Sequence, residues 1–380
     1  MRYDRQAMSD EDDFEDAEEA AEAAAEPVPA PRENALLLGH DAAEAALLRA
    51  YLSGRLPHAW LVSGPRGIGK ATLAFRFARF LFAEGGDGGL FAAPPTSLAV
   101  AAEHPAFRRV ASGGLADLLV VERGIDPRRK KLRSEIVVDD TRAVASFLRL
   151  TPAEGRWRVV IVDGADMMNR NAANALLKIL EEPPQRAVLL LVSDNPGRLL
   201  PTIRSRCRIL ALKPLPDAVV IEALQRYRPD LGAGDRTLLV QLAEGSIGRA
   251  LELAAGGGLG LYRSLVKLLD RLPSLDGAAL HALADRLARS DGEEAFRLTA
   301  ELLPGWLARM VAVAASGAGE GADPAGEAQT MRRLAGRRGL DQWVEVWEKL
   351  THLFAQADSI NLDRKQVVLN AFFALEEAAR

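Results

Sequence analysis

The sequence predicts an α/β fold built on a parallel sheet, followed by an all-helical C-terminal half, and three observations predict it. Apolar runs at Ala59–Val62, Trp157–Val162 and Ala187–Val192 alternate with helical spacing, as parallel strands covered on both faces do. A glycine loop, Gly64-Pro65-Arg66-Gly67-Ile68-Gly69-Lys70, lies between one of these runs and a helix. Beyond Pro214 the strand pattern stops and only helical spacing continues.

Taken in order, residues 1–34 are acidic and alanine-rich and include Pro27-Val28-Pro29-Ala30-Pro31. Like-charge repulsion and few large apolar groups predict a disordered tail, either solvated or docked on a basic partner. Ala43–Leu52 has the spacing of an amphipathic helix, Ala59–Val62 of a short buried strand, and Ala71–Phe82 of a helix. Residues 84–116, rich in Gly, Ala and Pro, read as an insertion or long loop, and Leu118–Glu122 as another strand. The densest basic run is Arg128-Arg129-Lys130-Lys131-Leu132-Arg133. It suits DNA phosphates and equally a solvated hairpin or helix end. Ile136–Leu150 is helical by spacing, and the strand ending at Val162 is followed by Asp163. Asn171–Glu182 is a helix stopped by Pro183-Pro184, and Ala187–Val192 and Cys207–Leu212 are further strands. Asp217–Tyr227, Arg236–Ala243 and Ile247–Ala254 make a small helical unit ending at Gly256-Gly257-Gly258. Trp343, Val346, Trp347, Leu350 and Phe354 form an apolar stripe that predicts a helix–helix core rather than a cofactor box. Residues 316–326 read as a flexible loop. The domains expected are a tail (1–34), an α/β domain (35–213), a helical lid (214–258) and a C-terminal helical domain (259–380).

Bulk properties narrow the function. The 380 residues, 48% hydrophobic, suffice for two or three cores, and a net charge of −4 marks no global nucleic-acid binder. A single cysteine, Cys207, rules out a disulfide framework or a four-cysteine zinc module within the chain, and the five histidines are dispersed. No continuous apolar run approaches the roughly 18 residues of a membrane span. The N-terminus lacks the basic and then apolar pattern of a secretory signal, so a cytoplasmic location is expected.

Chemistry centres on the glycine loop. Gly-x4-Gly-Lys between a strand and a helix is a phosphate-binding loop: Gly64, Gly67 and Gly69 let backbone N–H groups converge on phosphate oxygens, and Lys70 reaches the β/γ-phosphates. The next residue ordinarily supplies the hydroxyl that holds Mg²⁺. Here it is Ala71, with Thr72 one place late. Asp163 suits the carboxylate that holds Mg²⁺ through water, yet Gly164 stands where related ATPases carry the catalytic Glu, and Asp166 falls on the following turn. Nucleotide binding through Lys70 stays open; efficient hydrolysis is not expected.

Leu56-Pro57-His58-Ala59-Trp60-Leu61, the run Asn174-Ala175-Leu176-Leu177-Lys178-Ile179-Leu180-Glu181-Glu182-Pro183-Pro184, and Thr202-Ile203-Arg204-Ser205-Arg206-Cys207 resemble bacterial clamp-loader subunits of the AAA+ class, as does Asn361-Leu362-Asp363-Arg364-Lys365-Gln366. The likeness covers residues 36–380. It implies a P-loop AAA+ domain, a lid and a C-terminal collar, within the DNA polymerase III holoenzyme, a DNA-directed DNA polymerase. The spoiled P-loop implies a subunit with absent or very weak ATPase activity of its own. Arg206 resembles an arginine finger acting in trans on a neighbour's ATP; Arg249, in Gly245–Ala250, a sensor arginine; Gly39-His40 the box near adenine; Ser193 and Asp194 a loose match to a γ-phosphate sensor. The implied partners are the gamma/tau and delta subunits, the sliding clamp and primed DNA. No cofactor is required, ATP with Mg²⁺ at the degenerate site stays open, and the zinc module of many relatives is lost. Two competing readings are an autonomous AAA+ ATPase of replication or recombination, with Thr72 and Asp166 standing in, and an inert scaffold.

Overall fold

The computed structural model describes residues 28–84, 94–126, 130–153, 157–316, 326–360 and 362–380. The acidic tail through Pro27, Arg128 and Arg129 of the basic run, and residues 317–325 of the expected loop lie outside them. The chain forms two compact units, one running to Pro229 and taking in Ala243–Arg249, the other made of Asp230–Leu242 and Ala250–Arg380.

In the first unit, strands β1 (Ala59–Ser63), β2 (Leu118–Val121), β3 (Arg158–Asp163), β4 (Ala187–Ser193) and β5 (Arg208–Ala211) form one sheet in the order β2-β3-β4-β1-β5. Every pairing is parallel, so all carboxyl ends line one edge. Helices α1 (Asp41–Leu52), α2 (Lys70–Ala83), α3 (Pro105–Ala111), α4 (Val138–Arg149), α5 (Arg170–Glu181) and α6 (Pro201–Arg204) complete it. The two-residue period of a strand decides which helices each side chain meets. Trp60, Val62, Val159, Ile161, Val188 and Leu190 pack with Leu73, Phe77 and Phe80 of α2. Their neighbours Ala59, Leu61, Val160, Val162, Leu189 and Leu191 pack with Val144 and Leu148 of α4 and Leu176, Ile179 and Leu180 of α5. Each large apolar side chain so buried contributes about 1.5–3 kcal/mol. Asn169 starts α5, its side chain accepting from the Ala172 amide at 3.0 Å.

Two departures from the sequence expectation have local causes. Within the supposed long loop, α3 forms because the His104 ring accepts the Ala106 amide at 3.1 Å, Pro105 suits a first turn, and Phe107 and Val110 find the core. Residues 32–34, counted with the tail by composition, are tied to α2 along with Ala35. Arg79, 1% exposed, donates to the Asn34 carbonyl at 2.8 Å and the Arg32 carbonyl at 3.4 Å, with its guanidinium 4.4 Å from the Phe107 ring. Arg76 holds the Ala35 carbonyl at 2.8 Å.

The chain continues through α7 (Asp217–Tyr227), α8 (Ala233–Ala243) and α9 (Ile247–Ala254), the unit boundary falling within α8 and α9. The second unit is helical: α10 (Gly258–Asp270), α11 (Gly277–Ala288), α12 (Glu293–Ser316), α13 (Ala328–Ala335), α14 (Leu340–Ile360) and α15 (Arg364–Ala379). Trp343, Leu350 and Phe354 of the predicted stripe are buried, whereas Trp347 is 36% exposed. A polar cluster is buried here as well. Glu327, 2% exposed, accepts from the Trp306 indole at 2.8 Å and from the Tyr262 hydroxyl, and Arg309 lies 3.6 Å from its carboxylate. Pairing lets a carboxylate survive such burial. One correction concerns α12: by length and composition, with mean hydropathy 1.3 over its best window, it is apolar enough to cross a membrane. Scattered polar residues such as Thr299 and Arg309 conceal this from a search for continuous runs. Phe296, Leu303, Trp306 and Leu307 are buried, as in a core helix of the same composition.

Candidate functional site: a phosphate loop and a distant arginine

Strand β1 delivers the chain into the glycine loop at the carboxyl edge of the sheet. Gly69 caps α2 with φ +98°, a conformation glycine adopts without strain. Lys70 opens α2, and its ammonium donates to the Pro65 carbonyl and pairs with Asp194 at 2.7 Å. That lysine is 4% exposed, so a phosphate reaching it must displace the Asp194 carboxylate. Ala71 offers no hydroxyl, and Thr72 is buried further along α2.

Asp163 ends β3 beside this pair. Burial foremost, then the charges of Glu122 and Asp194, push its carboxyl above the usual carboxylate range against the opposing pull of Lys70 and the Gly164 amide. Asp166 is engaged elsewhere. Its two oxygens accept the amides of Asp194 and Asn195, each at 3.2 Å, fixing the turn after β4. His40 caps the loop from α1: its Nε2 donates to the Ile68 carbonyl at 2.6 Å, which places the ring proton on that nitrogen. With a carboxylate at 163 and no hydroxyl at 71, the donor set does not fit the usual Mg²⁺ site.

A second clamp comes from residues 246–249. Ser246 donates to the Arg66 carbonyl at 2.8 Å, the Gly248 amide donates to the Gly67 carbonyl at 2.8 Å, and the Arg249 amide donates to the Ser246 hydroxyl at 3.1 Å. A Cβ on Gly248 would stand 2.8 Å from the Gly67 Cα, so both glycines are required by close approach. Among the described residues the solvent-shielded Nε of Arg249 has no partner. Sequence reasoning singled out Arg249 but passed over Ser246 and Gly248; small residues spaced to meet a glycine loop were the available signal. Gly64, Gly67, Gly69, Lys70, Asp163 and Arg249 thus belong to one region, together with Asp194.

Arg206 lies elsewhere. It precedes β5, where the register pairs Trp60 with Arg208 and Ser63 with Ala211. The arginine is therefore at the amino edge of the sheet, and the glycine loop leaves the carboxyl edge. Strand rise alone separates those levels by about 10 Å. The guanidinium donates to the Thr202 carbonyl at 2.9 Å and to Glu181 at 2.8 Å, 34% exposed. Burial pushes the thiol of the neighbouring Cys207 up to about 11.

Residues 39–216 match the family model described as DNA polymerase III, delta subunit. The chain is 39% identical over 202 residues to the DNA polymerase III subunit delta' of Pseudomonas aeruginosa, covering 52% of this chain and 57% of that protein. The family model covers under half of this chain, and over that stretch the chain is similar to DNA polymerase III subunits. A second relative, the DNA polymerase III subunit tau of Escherichia coli, is 31% identical over 325 residues, 80% of this chain and 48% of that protein. The chain therefore spans about half the length of these curated relatives. A solved structure, a DNA polymerase III gamma subunit-related protein from Thermotoga maritima, aligns over 88% of this chain and 100% of that one at 19% identity and a TM-score of 0.40. The parallel order β2-β3-β4-β1-β5, with helices on both faces and a helical C-terminal region, is the α/β architecture that the sequence predicts.

Proposed function

We propose that this chain is a delta-prime subunit of the clamp loader: a member of the ring that hydrolyses little or no ATP itself and presents Arg206 to the ATP site of a neighbouring gamma/tau subunit. In that role it works with gamma/tau and delta in the cytoplasm to help load the sliding clamp onto primed DNA. Residues 214–258 serve as its lid and 259–380 as its collar. The observation carrying this reading is the separation of the two sites. Arg206 stands at the amino edge of the sheet, so any phosphate it meets belongs to another chain. Its link to Glu181 is a half-exposed ion pair worth about 1 kcal/mol or less that engages one donor and leaves others for a triphosphate. At the chain's own loop, Ala71 and Gly164 lack the metal-binding and catalytic groups.

The test is Arg206→Ala in a reconstituted loader. Assembly should persist while DNA-stimulated ATP turnover falls at least about tenfold, since an arginine supplied in trans is worth up to about 10³–10⁵ in rate. Unchanged turnover would favour a scaffold instead. The autonomous-ATPase reading needs Asp166 free to orient water, and its oxygens already hold two amides. Turnover near about 1 per second by the purified chain alone would nevertheless revive it.

A further inference from the structure

The chain makes a short turn after β3, Ala165–Met167, and a second after β4, Pro196–Arg198. Both leave the carboxyl ends of neighbouring strands, and Asp166 of the first holds the amides at 194 and 195 just ahead of the second. Asn195 fixes that second turn by accepting the Gly197 amide at 3.1 Å. The two turns and the start of α5 enclose a surface cavity of about 280 Å³. Its wall is apolar, from Met168, Ala173, Leu199 and Leu200, and Arg170 and Arg198 stand on its rim. Both arginines are exposed, and neither has an ion pair among the described residues.

An apolar pocket rimmed by two unpaired guanidinium groups suits a large apolar group flanked by anions. A nucleic-acid duplex keeps its bases stacked and would satisfy the arginines alone. The chain itself carries a segment that satisfies both. Residues 10–19 hold eight carboxylates and no base, and within residues 9–26 the only large apolar side chain is Phe14, set between Asp13 and Glu15. Reach is ample. Arg32, close to the first described residue, lies 3.9 Å from Glu122, which follows β2 at the same edge of the sheet. Strand β2 is the neighbour of β3, about 4.8 Å away. The 18 residues from Phe14 to Arg32 can span up to about 60 Å. We propose that residues 10–19 dock in this cavity, with Phe14 against Met168, Leu199 and Leu200 and its flanking carboxylates on Arg170 and Arg198. The positive end of α5, which opens at Arg170, adds to the attraction. A tether of this length holds the segment at an effective concentration of about a millimolar, so modest contacts suffice. Docking within the chain needs neither a neighbouring subunit nor the clamp-loader reading.

The experiment replaces Phe14 by the photocrosslinker benzoylphenylalanine in the full-length chain and maps the attachment sites by mass spectrometry after irradiation. Attachment is expected at Met168, Leu199 or Leu200 of the same chain. Arg170→Glu with Arg198→Glu should lower that yield at least about tenfold, since each exposed ion pair is worth up to about fivefold. The melting temperature of this variant should match the wild type, because both side chains are exposed and unpaired. Arg170→Lys with Arg198→Lys keeps the charge and should retain most of the yield. Raising salt from about 50 to 500 mM should erode it. Attachment elsewhere on the chain, no attachment, or a yield unmoved by charge reversal overturns the proposal. So does attachment between chains, read from a mixture of light and heavy isotope-labelled protein, which would make a second copy the occupant. A labelled duplex bound through Arg170 and Arg198, with no attachment from position 14, would make the cavity a nucleic-acid contact and overturn it as well. Each of these results leaves the Arg206 reading standing, and failure of the Arg206 test leaves the docked segment standing.

Discussion

Arg206 has five N–H donors, of which the Thr202 carbonyl and Glu181 engage one each. The remaining donors are available to an incoming phosphate, while those two contacts fix the guanidinium plane. Glu181→Ala should therefore lower turnover of the assembled loader by about fivefold, the rate equivalent of about 1 kcal/mol of lost orientation. Glu181→Gln keeps an acceptor and should lose about half that effect; equal losses in both variants would show that charge rather than orientation matters. Asp163 calls for a different test. Its folded-state value lies above the 3.8 of a free carboxyl, so at neutral pH the ionised form is penalised by folding. Asp163→Asn should accordingly be more stable than wild type at pH 7. That advantage should shrink as pH falls through the folded value and vanish below the unfolded one. Chemical denaturation across the acid range reads this directly, and a variant less stable at pH 7 would contradict the electrostatic account.

Among the elements, the most constrained contact is Gly67 against Gly248. Gly248→Ala places a methyl group 2.8 Å from the Gly67 Cα, with backbone on both sides and little room to yield. Overpacking of this kind costs about 1–3 kcal/mol, visible as a lowered melting temperature, and an unshifted melt would refute the close approach. Helix α2 has its own anchor in Arg79, whose guanidinium is pulled down to about 10 by burial and by Arg76 but stays charged at neutral pH. Arg79→Ala should cost about 3 kcal/mol through the cavity and the stranded Asn34 carbonyl, a fall of about 6–12 °C, and Arg79→Met about half as much. Strands such as Val159–Val162 were legible because burial on both faces removes polar residues from the run. The glycine loop was legible because backbone geometry demands those glycines. Arg79 was not, since an arginine on an amphipathic helix looks like a solvated residue until its acceptors, contributed from residues 32–34, are known. Asp166 and Asp194 were equally opaque: each is engaged by a group far away in sequence, the amide at 194 and the lysine at 70. Helix α3 was missed because its glycine- and alanine-rich surroundings outweighed a short capped segment.

At the scale of the molecule, restoring the missing catalytic groups should not create an ATPase. Ala71→Thr returns the metal-binding hydroxyl, and Gly164→Glu returns the carboxylate after Asp163. Position 164, however, sits at φ +79° and ψ +44°, a left-handed conformation that costs a residue with a side chain about 1–2 kcal/mol. The new glutamate would either be strained or shift the turn that carries Asp166, so the double variant should melt about 2–8 °C lower. Even a well-formed pocket would lack Arg206, which lies across the sheet at its amino edge. Purified double variant should thus turn over far below about 1 per second, in the range of phosphoryl-transfer enzymes deprived of that charge. Adding wild-type chain at high concentration, as a donor of Arg206, should raise the rate only if two copies can meet edge to edge. Brisk turnover by the isolated variant, at concentrations where it is a monomer, would mean that Arg206 is not the missing charge and that the carboxyl edge of this sheet is self-sufficient.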